Sequence, residues 1–331
     1  MNERIVIIDQ VDPQTFYGVN NSNINLIRNL FPKLRMAARG NVIKVIGEES
    51  ETATFERKIK EIEAYATKYN KLDEDVIIDI IKGEPPKAVD TQGVIIFGQT
   101  GRPIAPRNAN QAQMVKSFAE NDLTFALGPA GTGKTYIAIA LAVAALKNRA
   151  CKRIILSRPA VEAGEKLGFL PGDMKDKIDP YLRPLYDALE DMLPAVKLKE
   201  YMDSDIIQIA PLAFMRGRTL NDAIIILDEA QNTTRHQMKM FLTRLGVNSK
   251  MIVTGDATQI DLPRTVQSGL LQSLRILRGV KGIGIIEYGK KDIVRHPLVQ
   301  RIVDAYEERE KASVLEFEAE LADKIKNDPK D

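Results

Sequence analysis

Apolar residues in the first 90 positions recur at the spacing of helices and short strands. The clearest case is residues 52–69, where Phe55, Ile59 and Ile62 fall on one helical face. The other elements predicted here are helices over residues 24–31 and 73–81 and a strand over Val42–Gly47. We therefore predict that residues 1–90 form a small α+β domain, which ends near the helix-breaking Gly-Glu-Pro-Pro sequence of residues 83–86.

A different pattern begins near residue 107. Short and almost continuously apolar runs alternate with longer helical stretches up to about residue 290. The predicted strands are residues 123–127, 153–157, 205–209, 223–227, 250–254 and 283–287. Strands of this kind are typical of a parallel sheet that is covered by helices on both faces. The predicted fold class is thus α/β, with a parallel-sheet core over residues 107–306.

Three segments lie outside these two units. Residues 91–106 are predicted to be a linker with a β-hairpin, because apolar runs flank a short sequence with a glycine at each end, Gly98 and Gly101. Residues 161–202 form a long insertion between the second and third core strands, with a helix predicted over residues 179–192. Residues 307–331 are rich in Glu and Lys and are predicted to be a solvated tail.

A glycine-rich sequence follows the first core strand and precedes an alanine-rich apolar helix over residues 136–147. It fits the pattern G-x-x-x-x-G-K-[ST] without a mismatch. The predicted nucleotide-binding residues are Gly128, Pro129, Ala130, Gly131, Thr132, Gly133, Lys134 and Thr135. Glycines let backbone N–H groups turn toward phosphate oxygens, and the helix N-terminus adds a partial positive charge. We expect Lys134 to reach the β- and γ-phosphates of a nucleoside triphosphate, and the Thr135 hydroxyl to bind Mg²⁺.

Two acidic residues end the apolar run of residues 223–227. We predict that Asp228 holds Mg²⁺ and that Glu229 accepts a proton from the attacking water as a general base. The next strand along the chain is followed by Gln259. Because the carboxyl ends of parallel strands meet at one edge of a sheet, the Gln259 amide is predicted to contact both the γ-phosphate and the water. Such a contact would exist before hydrolysis and disappear after it.

Other polar residues are candidates for contacts with the nucleotide. The Gln111 amide could pair with N6 and N7 of adenine, which would favour ATP over GTP; an ordinary polar residue near a helix start is the equal alternative. Phosphoryl transfer also gains from an arginine that neutralises charge. The candidates are Arg158, the pair Arg216 and Arg218, and Arg295, and each of them is otherwise expected to form a surface ion pair.

The composition excludes several classes of protein. The chain has 331 residues, a formal net charge of +2 and a single cysteine, Cys151, which cannot form an internal disulfide. No apolar run is long enough to span a membrane, and the first residues lack the pattern of a signal peptide. We therefore expect a cytoplasmic protein with no membrane association.

Charge is unevenly distributed within the first domain. Residues 13–47 contain no acidic residue. The basic residues of this stretch are Arg28, Lys33, Arg35, Arg39 and Lys44. A basic strip on a small α+β domain can contact the phosphates of a nucleic acid, or it can be an ordinary solvated face. The sequence leaves both interpretations open.

The motifs of this chain resemble those of the PhoH-like ATPases. It carries, in order, GPAGTGKT, SRPAVEAGEKLGFLPGD, DPYLRPLYDAL, MRGRTL, LDEAQN, TGDATQIDLP and VRHPLVQRIVDAYE. The resemblance covers residues 111–306. It implies a RecA-like P-loop NTPase core, similar to the first motor core of superfamily 1 helicases, preceded by a KH-like domain. Residues 38–41, Ala-Arg-Gly-Asn, lack the Gly-x-x-Gly loop of ordinary KH domains, so RNA binding by that domain does not follow from the resemblance.

The resemblance also implies a function and an assembly. The expected protein is an ATP- and Mg²⁺-dependent ATPase that acts on single-stranded RNA as a helicase-like motor. The alternative is an ATP-switched adaptor that brings an endoribonuclease to RNA without unwinding it. Superfamily 1 helicases complete the site with arginines of a second motor core, and this sequence contains one core only. The missing arginine must then come from the same core or from an adjacent subunit. We expect a ring, specifically a hexamer, with ATP at the subunit interfaces.

Overall fold

In the computed structural model of the chain, the described residues are 2–86, 91–159, 174–263 and 265–294, with 298, 299, 301, 302, 305, 306 and 309. Only the backbone is described for residues 174–180. The strands are β1 Asn2–Ile7, β2 Arg35–Arg39, β3 Val42–Gly47, β4 Ile96–Phe97, β5 Pro103–Ile104, β6 Leu123–Leu127, β7 Arg153–Arg158, β8 Ile207–Pro211, β9 Ala223–Leu227, β10 Lys250–Gly255 and β11 Ile283–Glu287. The α-helices are α1 Pro13–Tyr17, α2 Ser22–Leu30, α3 Glu49–Tyr69, α4 Glu74–Lys82, α5 Ala109–Glu120, α6 Lys134–Lys147, α7 Met174–Met192, α8 Ala195–Asp203, α9 Arg235–Leu242 and α10 Gly269–Leu277.

The N-terminal unit is a three-stranded antiparallel sheet with helices packed on one face. β3 lies in the centre, between β1 and β2. α3 crosses the sheet and buries Phe55, Ile59 and Ile62 completely, which confirms the predicted helical face. The opposite face of the sheet is open to solvent, and Ile5 and Ile7 are 58% and 56% exposed there.

Residues 38–41, which lack the Gly-x-x-Gly loop of KH domains, include the turn of a β-hairpin. Arg39 of β2 pairs with Val42 of β3, so that only Gly40 and Asn41 connect the strands. Gly40 has φ +60°, which is the conformation that the first central residue of a type II′ hairpin turn requires. Residues 38–41 therefore continue the open sheet and hold β2 beside β3.

The core is a six-stranded parallel sheet in the order β11-β6-β10-β9-β7-β8, which confirms the predicted fold class. Every residue of β6 and of β9 is buried, as the continuous apolar runs predicted. Alternate residues face opposite layers: Ile226 packs with the cluster formed by α6 and α7, whereas Leu227 packs with α9 and α10. Among the described helices, none has the length and apolarity that would let it cross a membrane.

The strand order brings three strand ends together. β10 follows both β6 and β9 in the chain but lies between them in the sheet, which is the arrangement of RecA-like cores. The carboxyl ends of these strands, where the glycine-rich loop, the two acids and the Gly-Asp-x-x-Gln sequence begin, are therefore neighbours. Among the predicted core strands, one start differs: β8 begins at Ile207 because Asp205, with φ +57°, still belongs to the turn that follows α8. The helix of the insertion, α7, begins at Met174 rather than at residue 179.

A buried asparagine joins the N-terminal unit to the core. Asn70 follows α3 in a left-handed conformation and is 8% exposed. Its Nδ2 donates to the Phe97 carbonyl at 2.8 Å, and its Oδ1 accepts from Lys147 Nζ at 3.3 Å. The end of α3, the short hairpin of β4 and β5, and the last residue of α6 thus meet at one side chain.

Candidate nucleotide-binding site

The glycine-rich loop folds tightly because three of its glycines have positive φ. Gly128, Gly131 and Gly133 have φ values of 140°, 81° and 78°. The loop starts close to neighbouring strands: Gly128 N donates to Gly255 O, and a Cβ added to Gly128 would lie 2.4 Å from the Tyr288 carbonyl oxygen. Glycine is therefore required at residue 128 both for its backbone conformation and for space.

Lys134 begins α6 and lies inside the loop. Its side chain is buried, and its Nζ donates to the Gly128 carbonyl at 2.6 Å. Burial lowers the pKa of Lys134, an effect opposed by the nearby carboxylates of Asp256, Glu229 and Asp228. The ammonium thus lies within a cradle of backbone dipoles where the charged oxygens of a phosphate would be stronger acceptors.

Asp228 has a buried carboxylate that is bonded to two neighbouring elements of the site. Its Oδ1 accepts from the hydroxyls of Thr135 and Thr254, both at 2.6 Å. Thr135 belongs to α6 and Thr254 to β10, so one carboxylate oxygen links three elements of the core. These hydroxyl and carboxylate oxygens are hard ligands, and Mg²⁺ is bound in NTP sites by one or two such groups together with substrate phosphates. One carboxylate and one hydroxyl from the protein fit that role.

Glu229 is held by two side chains from different parts of the core. Its backbone is left-handed, with φ +52°, where the chain leaves β9. Its Oε1 lies 3.1 Å from Arg158 Nη2, and its Oε2 accepts from Gln231 Nε2 at 2.5 Å. The Arg158 guanidinium also donates to the Tyr181 carbonyl of α7 at 2.7 Å.

Gln231 is a residue whose contribution the sequence analysis missed. It is 1% exposed, and besides Glu229 its Nε2 reaches the Gln259 carbonyl at 3.1 Å, while its Oε1 accepts from the Asp256 N–H at 2.9 Å. Asp256 in turn accepts from the Ala130 N–H at 3.1 Å. The signal available in the sequence was an amide placed two residues after the general-base candidate, at the end of an otherwise apolar strand.

Gln111 contacts the loop directly. Its Oε1 accepts from the Arg107 N–H at 2.7 Å and its Nε2 donates to the Thr132 carbonyl at 2.9 Å, and the side chain is buried. The amide thus ties the segment before α5 to the nucleotide-binding loop. One hydrogen and one lone pair of the amide remain, so its contact with adenine stays a prediction.

The candidate arginines occupy different places. Arg158 lies in the site, as described above. Arg218 donates to Gln208 Oε1 at 2.7 Å, whereas Arg216 is exposed and has no ion-pair partner among the described residues. Arg295 lies outside the described residues.

Most of the predicted site residues that the structure describes surround one pocket of about 570 Å³, although Gly128, Pro129, Thr132 and Gln111 do not line it. The lining contains Ala130, Gly131 and Gly133 of the glycine-rich loop, with Lys134, Thr135, Asp228, Glu229 and Gln259, and it also contains Arg158 and part of α7. A glycine-rich loop between a buried strand and a helix, joined to an acidic strand end one strand away, defines the class of P-loop NTPases with a RecA-like core.

The family model described as PhoH-like protein matches residues 103–307, which is more than half of the chain, and the chain therefore belongs to the PhoH-like protein family. A PhoH-like protein of Bacillus subtilis (strain 168) is 46% identical over 314 residues, covering 93% of this chain and 98% of the relative. Protein PhoH of Escherichia coli (strain K12) is 49% identical over 220 residues, covering 66% of this chain and 62% of that protein.

Similar solved structures include a helicase and an ATPase core. The Pif1 helicase from Candida albicans aligns with a TM-score of 0.32 at 14% identity, over 61% of this chain and 43% of that one. The Sulfolobus solfataricus SWI2/SNF2 ATPase core in complex with dsDNA aligns with a TM-score of 0.35 at 16% identity, over 56% and 45%. This chain spans less than half the length of either protein, and at these scores the likeness assigns no function to it.

Replacing Gly128 tests the geometry of the loop. We expect Gly128→Ala to weaken ATP binding at least tenfold, because the new methyl group would collide with the Tyr288 carbonyl. Gly217→Ala is the matched control: Gly217 also has a positive φ, of 74°, but no atom lies within 4 Å of its added Cβ. The control should lose about 1 kcal/mol of stability and retain binding. Fluorescence anisotropy with labelled ATP measures affinity, and urea unfolding measures stability. Equal affinities of the two variants would contradict the assigned close approach.

Proposed function

We propose that this protein hydrolyses ATP in a Mg²⁺-dependent reaction coupled to RNA. The observation that carries the hydrolytic part is the convergence of Thr135, Asp228 and Glu229 on one pocket beneath the glycine-rich loop. A carboxylate bonded to the loop threonine supports metal binding, and a second carboxylate beside it supports activation of water.

Each side chain has a distinct part in this reaction. The N–H groups of the loop hold the phosphates, and the Lys134 ammonium exchanges loop carbonyls for phosphate oxygens. Thr135 and Asp228 would hold Mg²⁺, which supplies neutralisation of the charge that develops on the phosphates. Glu229 takes a proton from the attacking water.

The neighbours of Glu229 orient it for this step. Gln231 donates to one carboxylate oxygen, and Arg158 contacts the other. Contacts to both oxygens fix the orientation of the carboxylate. Because Gln231 also contacts the backbone at Gln259 and Asp256, a shift of the loop after β10 would reach the base directly.

Two substitutions separate nucleotide binding from hydrolysis. Lys134→Ala should lose most nucleotide affinity, whereas Glu229→Gln should keep affinity and lower kcat by at least 100-fold, since its amide cannot accept the proton. Glu190→Gln, the same chemical change on the exposed side of α7, is the control and should match the wild-type rate. Steady-state phosphate release and ATP titration measure the two quantities. Turnover by Glu229→Gln at the wild-type rate would eliminate Glu229 as the base.

The proposal of RNA as partner is supported by the open face of the N-terminal sheet. Register places Lys44 opposite Ile5 and Ala37, and Arg39 opposite Val42, so these residues share the solvent-exposed face. Lys44 pairs with Glu3 at 2.8 Å, whereas Arg35 and Arg39 form no ion pair with described residues. A face that combines free guanidinium groups with an apolar surface suits the phosphates and bases of a single strand.

The open face of the N-terminal sheet is tested with RNA. Single-stranded RNA should stimulate the ATPase rate of the wild type, and Arg35→Gln/Arg39→Gln should require several-fold more RNA for half-maximal stimulation. Lys116→Gln/Lys281→Gln removes the same charge elsewhere and should leave stimulation unchanged. A strand-displacement assay on an RNA duplex with an overhang then separates the motor from the adaptor. Stimulation without displacement would favour the adaptor that recruits an endoribonuclease, and absence of stimulation by any RNA would refute RNA coupling.

The ring assembly is supported by the position of Arg216. It is exposed beside Phe214, which is 63% exposed, next to the edge strand β8. An unpaired arginine next to an exposed aromatic residue is the composition expected where a neighbouring subunit docks. In a ring of six subunits this arginine would complete the ATP site of the neighbour.

Subunit mixing tests the ring. Arg216→Ala and Glu229→Gln should each lack activity alone and regain part of it when mixed, because an intact Arg216 would then face an intact Glu229 across an interface. Light scattering with ATP and Mg²⁺ reports the mass of the assembly. An active monomer, or mixtures as inactive as their components, would refute action across subunits.

A further inference from the structure

A second cavity lies where the N-terminal unit meets the core, at the far end of the helix that starts in the nucleotide-binding loop. This junction cavity has a volume of about 500 Å³ and lies between α3, the segment that leads into β4, and the end of α6. Its lining includes Glu63, Lys68, Val94, Phe97 and Lys147. Ligand sites of small molecules are often found at such interfaces and have volumes of this order.

Lys147 is the notable group of the cavity. It is partly buried, and no carboxylate lies within 4 Å of its Nζ among the described residues; its one hydrogen-bond acceptor is Asn70 Oδ1, at 3.3 Å. Burial lowers the pKa of Lys147 to about 8. The one bond to Asn70 uses one of the three N–H donors of the ammonium. The ammonium therefore has unused capacity to donate hydrogen bonds to an anion.

The remaining charges of the cavity leave this capacity free. Glu63 is the one carboxylate in the lining, and its Oε1 accepts from the N–H groups of Asp9 and Gln10, both at 2.8 Å. Lys60 pairs with Glu56, outside the cavity. Lys68 has no ion pair with described residues, and its Nζ lies 5.1 Å from the centre of the Tyr69 ring. Two ammonium groups, those of Lys68 and Lys147, thus belong to lining residues that have no ion pair with the described carboxylates.

The cavity also has an apolar wall. It is formed by Val94, Ile95 and Phe97 from the segment around β4, with Ala64 from α3 and Ala144 from α6. Val94 and Ile95 remain partly exposed, so a ligand that covered them would gain from burial of apolar surface. An inorganic anion alone would leave this wall uncovered.

We propose that the junction cavity binds a small organic phosphomonoester, with its phosphate on the ammonium groups of Lys147 and Lys68 and its apolar part on the wall of Val94, Ile95 and Phe97. The site is separate from the nucleotide-binding loop and does not depend on the proposed hydrolysis. The two sites occupy opposite ends of α6.

Binding is tested with phenyl phosphate, an aromatic phosphomonoester without a nucleoside, in the full chain carrying Lys134→Ala to weaken phosphate binding at the loop. Calorimetry should show one site for phenyl phosphate, and inorganic phosphate should bind at least fivefold more weakly. Adding Lys147→Met should weaken phenyl phosphate at least tenfold. Lys116→Met, which removes an exposed lysine of α5, is the control and should not change affinity.

Unfolding curves show whether each variant is folded. If Lys147→Met does not fold, Lys68→Met is used in its place and should weaken phenyl phosphate at least threefold. Lack of binding to the Lys134→Ala protein at millimolar phenyl phosphate would overturn the proposal, as would undiminished binding by the folded lysine variants. Equal affinities for phenyl phosphate and inorganic phosphate would show an adventitious ion only and would overturn it as well.

Discussion

The functional half of this structure depends on one buried carboxylate that accepts two hydroxyls. Asp228 ends β9, and its Oδ1 is bonded to Thr254 on β10 and to Thr135 on α6. A buried carboxylate is stable only where donors replace its lost hydration. The strand order supplies these donors, because β10 lies between β6 and β9 and brings Thr254 beside Asp228. The same bonds fix the glycine-rich loop relative to the acidic strand end.

Around this carboxylate, the side chains of Glu229 and Gln231 connect the site to parts of the chain far away in sequence. Arg158 joins Glu229 to the Tyr181 carbonyl on α7, within the long insertion. Gln231 joins the same carboxylate to the loop after β10. The Glu229 carboxylate is therefore placed by tertiary contacts from two directions, and its orientation depends on the insertion as well as on the sheet.

Much of the fold could be predicted from the sequence, because short continuous apolar runs such as those of β6 and β9 are typical of buried parallel strands. The loop that begins at Gly128 could be predicted because its glycines, Lys134 and Thr135 lie within eight consecutive residues. β1 could not, because Ile5, Val6 and Ile7 form an apolar run without visible alternation, although Val6 is buried and its neighbours are exposed. The roles of Gln111 and Gln231 also could not be predicted, since their partners lie 21 to 28 residues away. Whether a polar side chain serves the fold or the ligand is decided by those partners.

Helix α6 connects the nucleotide-binding loop to the N-terminal unit. The helix begins at Lys134 in the nucleotide-binding loop and ends at Lys147 beside the N-terminal unit, a span of about 20 Å. Its residues 137–143 are all buried, so the helix contacts neighbours on every side and cannot turn or bend without repacking them. The helix therefore holds Lys134 and Lys147 in a fixed position relative to each other. At the other end Lys147 contacts Asn70, the residue that caps α3 and also bonds the hairpin of β4. The N-terminal sheet, with its open basic face, is thus joined to the nucleotide-binding loop through one rigid helix and one buried amide.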